Sequence, residues 1–226
     1  MNVVDGRHRR RAEAANSPAR RQRLSTIVSE ATRLFHGRGY EATSVNDLAA
    51  SLDMSVGGLY RYIDTKSDLL VMVCEEIYGD LPARLAAIAD QPAASTQRLV
   101  TLLDKYIRSC IASRPLILLM YREYRHLPDP ARARFQEREE AIAALFQRVV
   151  DEGIAAGDFA RGVDSWALAH DIVLIGHLPA LKSWAFKAGG RKPADLVDQQ
   201  IHLILESLAA GGRAPSAPGT VTSTPA

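Results

Sequence analysis

The chain has 226 residues, 47 % of them hydrophobic and 6 % aromatic, with 28 Lys/Arg against 26 Asp/Glu. That length suits one small and one larger domain, and the composition suits an all-helical core. No run approaches the ~18 apolar residues of a membrane span, and the Arg-rich start leads into no apolar signal segment, so the expected location is cytoplasmic.

The charge is unevenly placed. Residues 1–66 hold 11 Lys/Arg against 7 Asp/Glu, whereas residues 67–226 hold 17 against 19. The basic excess marks the N-terminal end as the one that would meet a polyanion. Cys74 and Cys110 lie in apolar helical patterns without metal-ligand spacing and read as reduced core thiols. No metal site and no cofactor is expected.

Residues 1–19 are polar and aperiodic, with RHRRR at 7–11. They read as a disordered basic arm, which either lies along DNA or is only a solvated tail. A first helix is predicted from about Ala19 to His36, on the stripe Leu24, Ile27, Val28, Ala31, Leu34 and Phe35, with Gly37 or Gly39 ending it. Ser44 to Leu52 then carries Val45, Leu48, Ala49 and Leu52 at helical spacing, with Thr43 placed to cap it. After Asp53 and Met54, Ser55 can cap a second short helix, Val56 to Ile63, in which only Leu59 and Ile63 are clear core residues. Two adjacent glycines, Gly57 and Gly58, cost roughly 1 kcal/mol each in a helix interior. A helix whose backbone must approach another surface closely has a use for them. Two short helices joined by a tight turn form a helix-turn-helix, with Val56 to Tyr62 as the helix that enters a major groove.

The stretch FHGRGYEATSVNDLAASLDMSVGGLYRYIDTKSDLL resembles the DNA-binding domain of the TetR family of bacterial transcriptional regulators, over about residues 20–75. The resemblance implies an all-α chain: a three-helix domain with the helix-turn-helix at 20–65, and a larger helical ligand-binding and dimerisation domain at 66–210. It implies that Thr43, Tyr60, Tyr62 and Lys66 position the domain on phosphates while Ser55, Val56, Gly57 and Gly58 face base edges. Val56 and Gly58 depart from the polar residues usual at those places, so no operator sequence carries over.

The next helix is predicted to start after Thr65, in a T-x-x-D capping box with Asp68, and to run to about Ala89. Lys66 at its N-terminus is a cation at the wrong end of a dipole, which favours a nearby phosphate. Five more helices follow. One runs from Ser95 to about Ser113; the next has Pro115 at N1 and ends near Leu127. A long one spans Pro130 to Ala156, on the stripe Ile142, Leu145, Phe146, Val149 and Val150. Asp164 caps the eighth, and Pro193 stands in the first turn of the ninth. No strand alternation and no repeat occurs, and residues 211–226 read as a disordered tail rich in Gly, Pro, Ser and Thr.

WALAHDIVLIGHLPALKSWAF is apolar nearly all round, which requires burial on more than one side. A second copy of the chain would cover it, and Val197, Ile201, Ile204 and Leu208 would form the seam of the last helix. The family resemblance implies a homodimer through these two helices and two recognition helices on one operator. His170 and His177, seven apart, lie about two turns or ~10 Å from each other, too far to share a metal ion. Each is either a core histidine or a polar pocket group. Trp166 and Trp184 are either packing or a ligand platform.

The C-terminal part, MYREYRHLPDPARARFQEREEAIAALFQRVVDEGIAAGDF followed by a W-x-F-K-x-G-G turn, is similar to TetR regulators whose effectors are acyl-CoA thioesters. This chain lacks an arginine usual in that turn, although Lys182 and Lys187 stand nearby. A mostly apolar effector pocket is expected, lined by Met120, Tyr121, Tyr124, Phe146, His170, His177 and Trp184. With no nucleophile elbow, P-loop, Rossmann glycines or zinc cluster in the sequence, an enzyme is not expected, and pairs such as Arg122-Glu123 read as a solvated helix face.

Overall fold

A computed structural model describes residues 17–210. The basic arm up to residue 16 and the tail from 211 lie outside the described residues. Within them the chain forms helices and turns with no strand. The helices are α1 (Pro18–Arg38), α2 (Val45–Ser51), α3 (Val56–Leu59), α4 (Lys66–Glu75), α5 (Leu81–Ala89), α6 (Ser95–Ala112) and α7 (Arg114–Glu123). After a 3-10 turn at Tyr124–His126 come α8 (Asp129–Ala156), α9 (Ser165–Leu181), α10 (Ser183–Ala188) and α11 (Asp195–Ala210). None is long and apolar enough to cross a membrane.

Two compact units emerge. The first holds residues up to Asp80 with Ser109–Arg138 and His177–Ser183; the second holds Leu81–Arg108, Glu139–Gly176 and the chain from Trp184. In the first, α1 packs against α2, α4 and α7, burying Ile27, Val28, Ala31, Leu34 and Phe35 along the predicted stripe. In the second, Leu99, Leu102, Tyr106, Ile142, Phe146 and Val149 are fully buried, with the Tyr106 and Phe146 rings edge to face at 5.5 Å. The Tyr106 hydroxyl donates to the Val173 carbonyl at 2.9 Å, so this buried phenol is satisfied.

Caps set most boundaries. Ser55 Oγ accepts from the Gly58 N–H, Thr65 and Asp68 complete the expected reciprocal box, and Asp164 accepts from the Ala167 N–H. Gly157, at φ +84, ends α8. Five expectations need correction. The cap of α2 is Ser44, because Asp47 stands three residues after it and closes a reciprocal box, whereas Asn46 stands three after Thr43. Thr43 is instead 1 % exposed, and its hydroxyl donates to the Gly39 carbonyl at 2.8 Å. The recognition helix is one turn long, because its glycines support no more and Ile63 must turn inward before Thr65 opens α4.

The helix expected from Lys66 to Ala89 is two helices. Between Glu75 and Leu81 the chain turns at Gly79, φ +47, while Ile77 and Tyr78 bury their side chains. The apolar run Trp166–Phe186 likewise divides at Lys182 into α9 and α10, and α11 starts at Asp195, after Pro193, where the Asp195 carboxylate accepts from the Lys192 N–H.

Candidate nucleic-acid interface and effector core

The helix-turn-helix turn is made by Leu52, Asp53 and Met54, with Asp53 at φ +51, a conformation that Asp tolerates better than most side chains. The turn delivers α3 with Leu59 fully buried beneath it and Ser55, Val56, Gly57 and Tyr60 exposed. Val56 and Tyr60 are large apolar side chains left in solvent, at 36 % and 46 % exposure. A Cβ added at Gly58 would meet Ser55 Oγ at 3.0 Å, so the cap itself favours glycine there. A Cβ added at Gly57 would meet nothing within 4 Å, and its φ is not positive. Nothing inside the chain requires glycine at position 57.

The phosphate-facing residues of the sequence reading fall into two groups. Tyr62 and Lys66 are half-buried and engaged. The Arg20 guanidinium lies 4.9 Å from the centre of the Tyr62 ring and donates to the Arg61 carbonyl at 3.1 Å. Lys66 Nζ lies 4.2 Å from the centre of the Tyr40 ring and donates to the Glu41 carbonyl at 3.3 Å. The ring face and the carbonyl answer the misplaced cation from within the chain, so its placement no longer requires a phosphate. Thr43 has no exposed side chain to offer. Arg20 escaped the sequence reading because 41 residues separate it from the carbonyl it holds.

Of the expected effector residues, the first unit brings Tyr121 and His177 together and adds Tyr78. His177 is 1 % exposed, with Nε2 3.0 Å from the Tyr78 hydroxyl and Nδ1 3.1 Å from the Tyr121 hydroxyl. Burial pushes the His177 pKa down to about 4, so the ring is neutral near pH 7, donating through one nitrogen and accepting through the other. Phe135 stacks beside Tyr78 at 5.5 Å and meets Tyr124 edge to face. Met120 is buried close by in sequence, on α7.

The remaining candidates lie in the second unit. Phe146 is core, fully buried on Tyr106. His170 stacks on Trp166 at 4.1 Å, and its pKa is raised, first by the Trp166 carbonyl 2.8 Å from Nδ1 and then by Glu140. Trp166 is 58 % and Trp184 65 % exposed, joined on the outside by Leu174 and Leu203. The seam expected on α11 faces inward instead: Val197, Ile204 and Leu208 are buried within the chain itself, and Ile201 lines an open groove with Val100 and Leu205. Arg122-Glu123 is not a solvated pair either. Glu123 is 7 % exposed, and its carboxylate lies 3.0 Å from His126 Nδ1.

Beside the α4 terminus, Val71, Cys74, Leu127, Ala131 and Phe135 line a narrow cleft rimmed by Glu75, Arg134 and Arg138. Burial raises the Cys74 thiol to about 12, with Glu75 and Glu123 adding to the effect, so it stays protonated and unreactive. Among the described residues no group of three or more His, Cys, Asp or Glu could hold a metal ion.

Comparison with known proteins bears on both places. Residues 27–73 match the family model described as bacterial regulatory proteins, tetR family, and residues 92–208 match that of the tetracyclin repressor-like C-terminal domain. The chain is 26 % identical to the HTH-type transcriptional regulator HbdR of Aromatoleum sp. (strain CIB), over 82 % of this chain and 80 % of that one. It is 25 % identical to the HTH-type transcriptional repressor KstR2 of Rhodococcus jostii (strain RHA1), over 83 % and 91 %. The crystal structure of AibR in complex with isovaleryl coenzyme A and operator DNA shares the fold, with a TM-score of 0.66, 22 % identity and coverage of 80 % and 97 %.

Proposed function

Because this chain belongs to the TetR family of bacterial transcriptional regulators, we propose that it is a ligand-responsive repressor, released from its operator by a small hydrophobic effector. Gly57 carries the reading. An exposed glycine that no neighbour and no backbone angle demands, in a one-turn helix it weakens, is explained by a surface outside the chain that comes close to it. In this reading Ser55, Val56, Gly57 and Gly58 face base edges, with Val56 against a thymine methyl, while Tyr60, Tyr62, Lys66 and Arg20 hold phosphates. Thr43 contributes at most its backbone.

The repressor works as a homodimer, and the face that joins two copies carries Trp166, Leu174, Trp184 and Leu203. These are exposed on α9, α10 and α11, whereas the buried seam of α11 serves its own chain. The effector enters the tyrosine–histidine core of α7 and α9, and an acyl-CoA is the first candidate. Supporting this choice are the resemblance of residues 120–159 to acyl-CoA-responsive regulators and the AibR structure with its coenzyme A thioester. A free hydrophobic acid is the second candidate.

A duplex selected by the protein from a randomised library provides the test. Lys66→Ala should weaken binding to every duplex and lower the salt slope by about one contact, while Val56→Ser changes base preference. CoA thioesters added to the complex should release it. Release by the free acids alone would remove the CoA assignment, and failure to select any duplex would remove the function.

A further inference from the structure

Two carboxylates face one imidazole at the edge of the DNA-binding helices. His126, closing the 3-10 turn after α7, has Nε2 3.0 Å from Glu41 Oε1 and Nδ1 3.0 Å from Glu123 Oε2. The ring therefore bridges two acceptors, one through each nitrogen. The two ends of the bridge differ. Glu123 is buried and needs a partner, whereas Glu41 is 72 % exposed and would be content in water. Folding therefore explains the Glu123 contact and leaves the Glu41 contact without a reason.

Glu41 stands in the loop between α1 and α2, one residue after Tyr40. The Tyr40 ring lies 5.6 Å from the His126 ring and carries the Lys66 amine 4.2 Å from its centre, and Lys66 also donates to the Glu41 carbonyl. On the other side, α7 bears Tyr121 two residues before Glu123, and Tyr121 touches the buried His177. A continuous run of contacts thus leads from the tyrosine–histidine core through α7 and His126 to Tyr40, Glu41 and Lys66.

We propose that His126 is a positioning residue that couples this core to the operator clamp, a joint holding Tyr40, Glu41 and Lys66 where DNA requires them. The inference rests on the operator-binding reading above. A shift of α7 caused by an effector moves Glu123, and the joint passes the movement to the start of α2. The titratable and charged groups around the joint are Glu41, Glu123 and Tyr40, with Lys66 on the Tyr40 ring, Asp68 within range of the Tyr40 hydroxyl and Arg122 beside Gly39.

The test measures affinity for the selected duplex at one pH and fixed ionic strength, for the wild-type chain, Glu41→Gln and His126→Gln. Both variants should bind about fivefold more weakly than the wild type, the scale of a partly exposed ion pair. Glu41→Gln is decisive, because its exposed side chain leaves the fold intact. Removing a negative charge near DNA would by charge alone tighten binding, so weaker binding has the sign that only a positioning role produces. Variants that bind as tightly as the wild type or tighter would overturn the coupling. A wild-type chain that selects no duplex would overturn the operator reading and this inference with it.

Discussion

Two glycine-bearing regions obey opposite rules. In the last turn of α8, at its corner with Phe159, a Cβ on Gly153 would lie 2.2 Å from the buried Phe159 ring and 3.0 Å from Ser95. The Phe159 and Asp158 amides both point at the Gly153 carbonyl, at 3.1 and 2.8 Å. The chain itself dictates glycine there. At Gly57 the added carbon meets empty space, and the chain dictates nothing. The same division separates His177, enclosed by two tyrosine hydroxyls, from Trp166 and Leu203, which stand in water. Residues of the first kind are answerable to the fold and those of the second to a partner.

Gly153→Leu should show the fold's side of this contrast most strongly. The Phe159 ring must leave its site, which costs on the order of 3 kcal/mol or more and shows as a lower urea midpoint. A variant of unchanged stability would mean that the corner is softer than its distances imply. His177 comes next. Its folded pKa of about 4 lies below the ordinary 6.5, so between those values the unfolded chain binds more protons. Stability should be full above about pH 6.5 and decline as pH falls toward 4, by up to about 3 kcal/mol in total. His177→Gln should flatten that slope in urea titrations from pH 4.5 to 7.5; the same slope in the variant would assign it to other groups.

The partner's side predicts smaller effects on the fold and larger ones on assembly. Leu203→Glu should leave the single chain as stable as before and weaken its dimer by about 2 kcal/mol or more, read by sedimentation equilibrium. Ile204→Glu, one residue on, should unfold the chain instead, because Ile204 is 4 % exposed. Gly57→Ala is the smallest change and the sharpest. It should raise stability by up to about 1 kcal/mol and lower affinity for the selected duplex. An alanine variant that binds DNA unimpaired would erase the contrast at its origin.

The helical class, the helix-turn-helix and most caps were legible because they depend on neighbours three or four residues apart. Ser55 with Gly58 and Thr65 with Asp68 are such pairs. What escaped depends on distant residues. The break at Glu76–Asp80 interrupts an apolar pattern that reads as continuous, and Tyr78 finds its partner His177 99 residues away. The stripe on α11 was visible as a stripe, but periodicity does not say whether its own chain or another copy covers it. Glu123 sits in a charged run and reads as solvated until its burial beside His126 is seen. At the candidate site, the exposed row on α3 was legible from the motif, whereas Arg20 and the Tyr40–Lys66 contact required the fold.

The recognition turn is fastened by Leu59 and Ile63, both buried, while Ser55, Val56, Gly57 and Tyr60 remain outside. Selection on folding is therefore blind to most of what DNA would read. Replacements at Val56, Gly57 or Tyr60 pass the stability threshold that eliminates most core substitutions. On the operator-binding reading proposed above, a lineage carrying this scaffold can drift among operators by single steps without an unfolded intermediate.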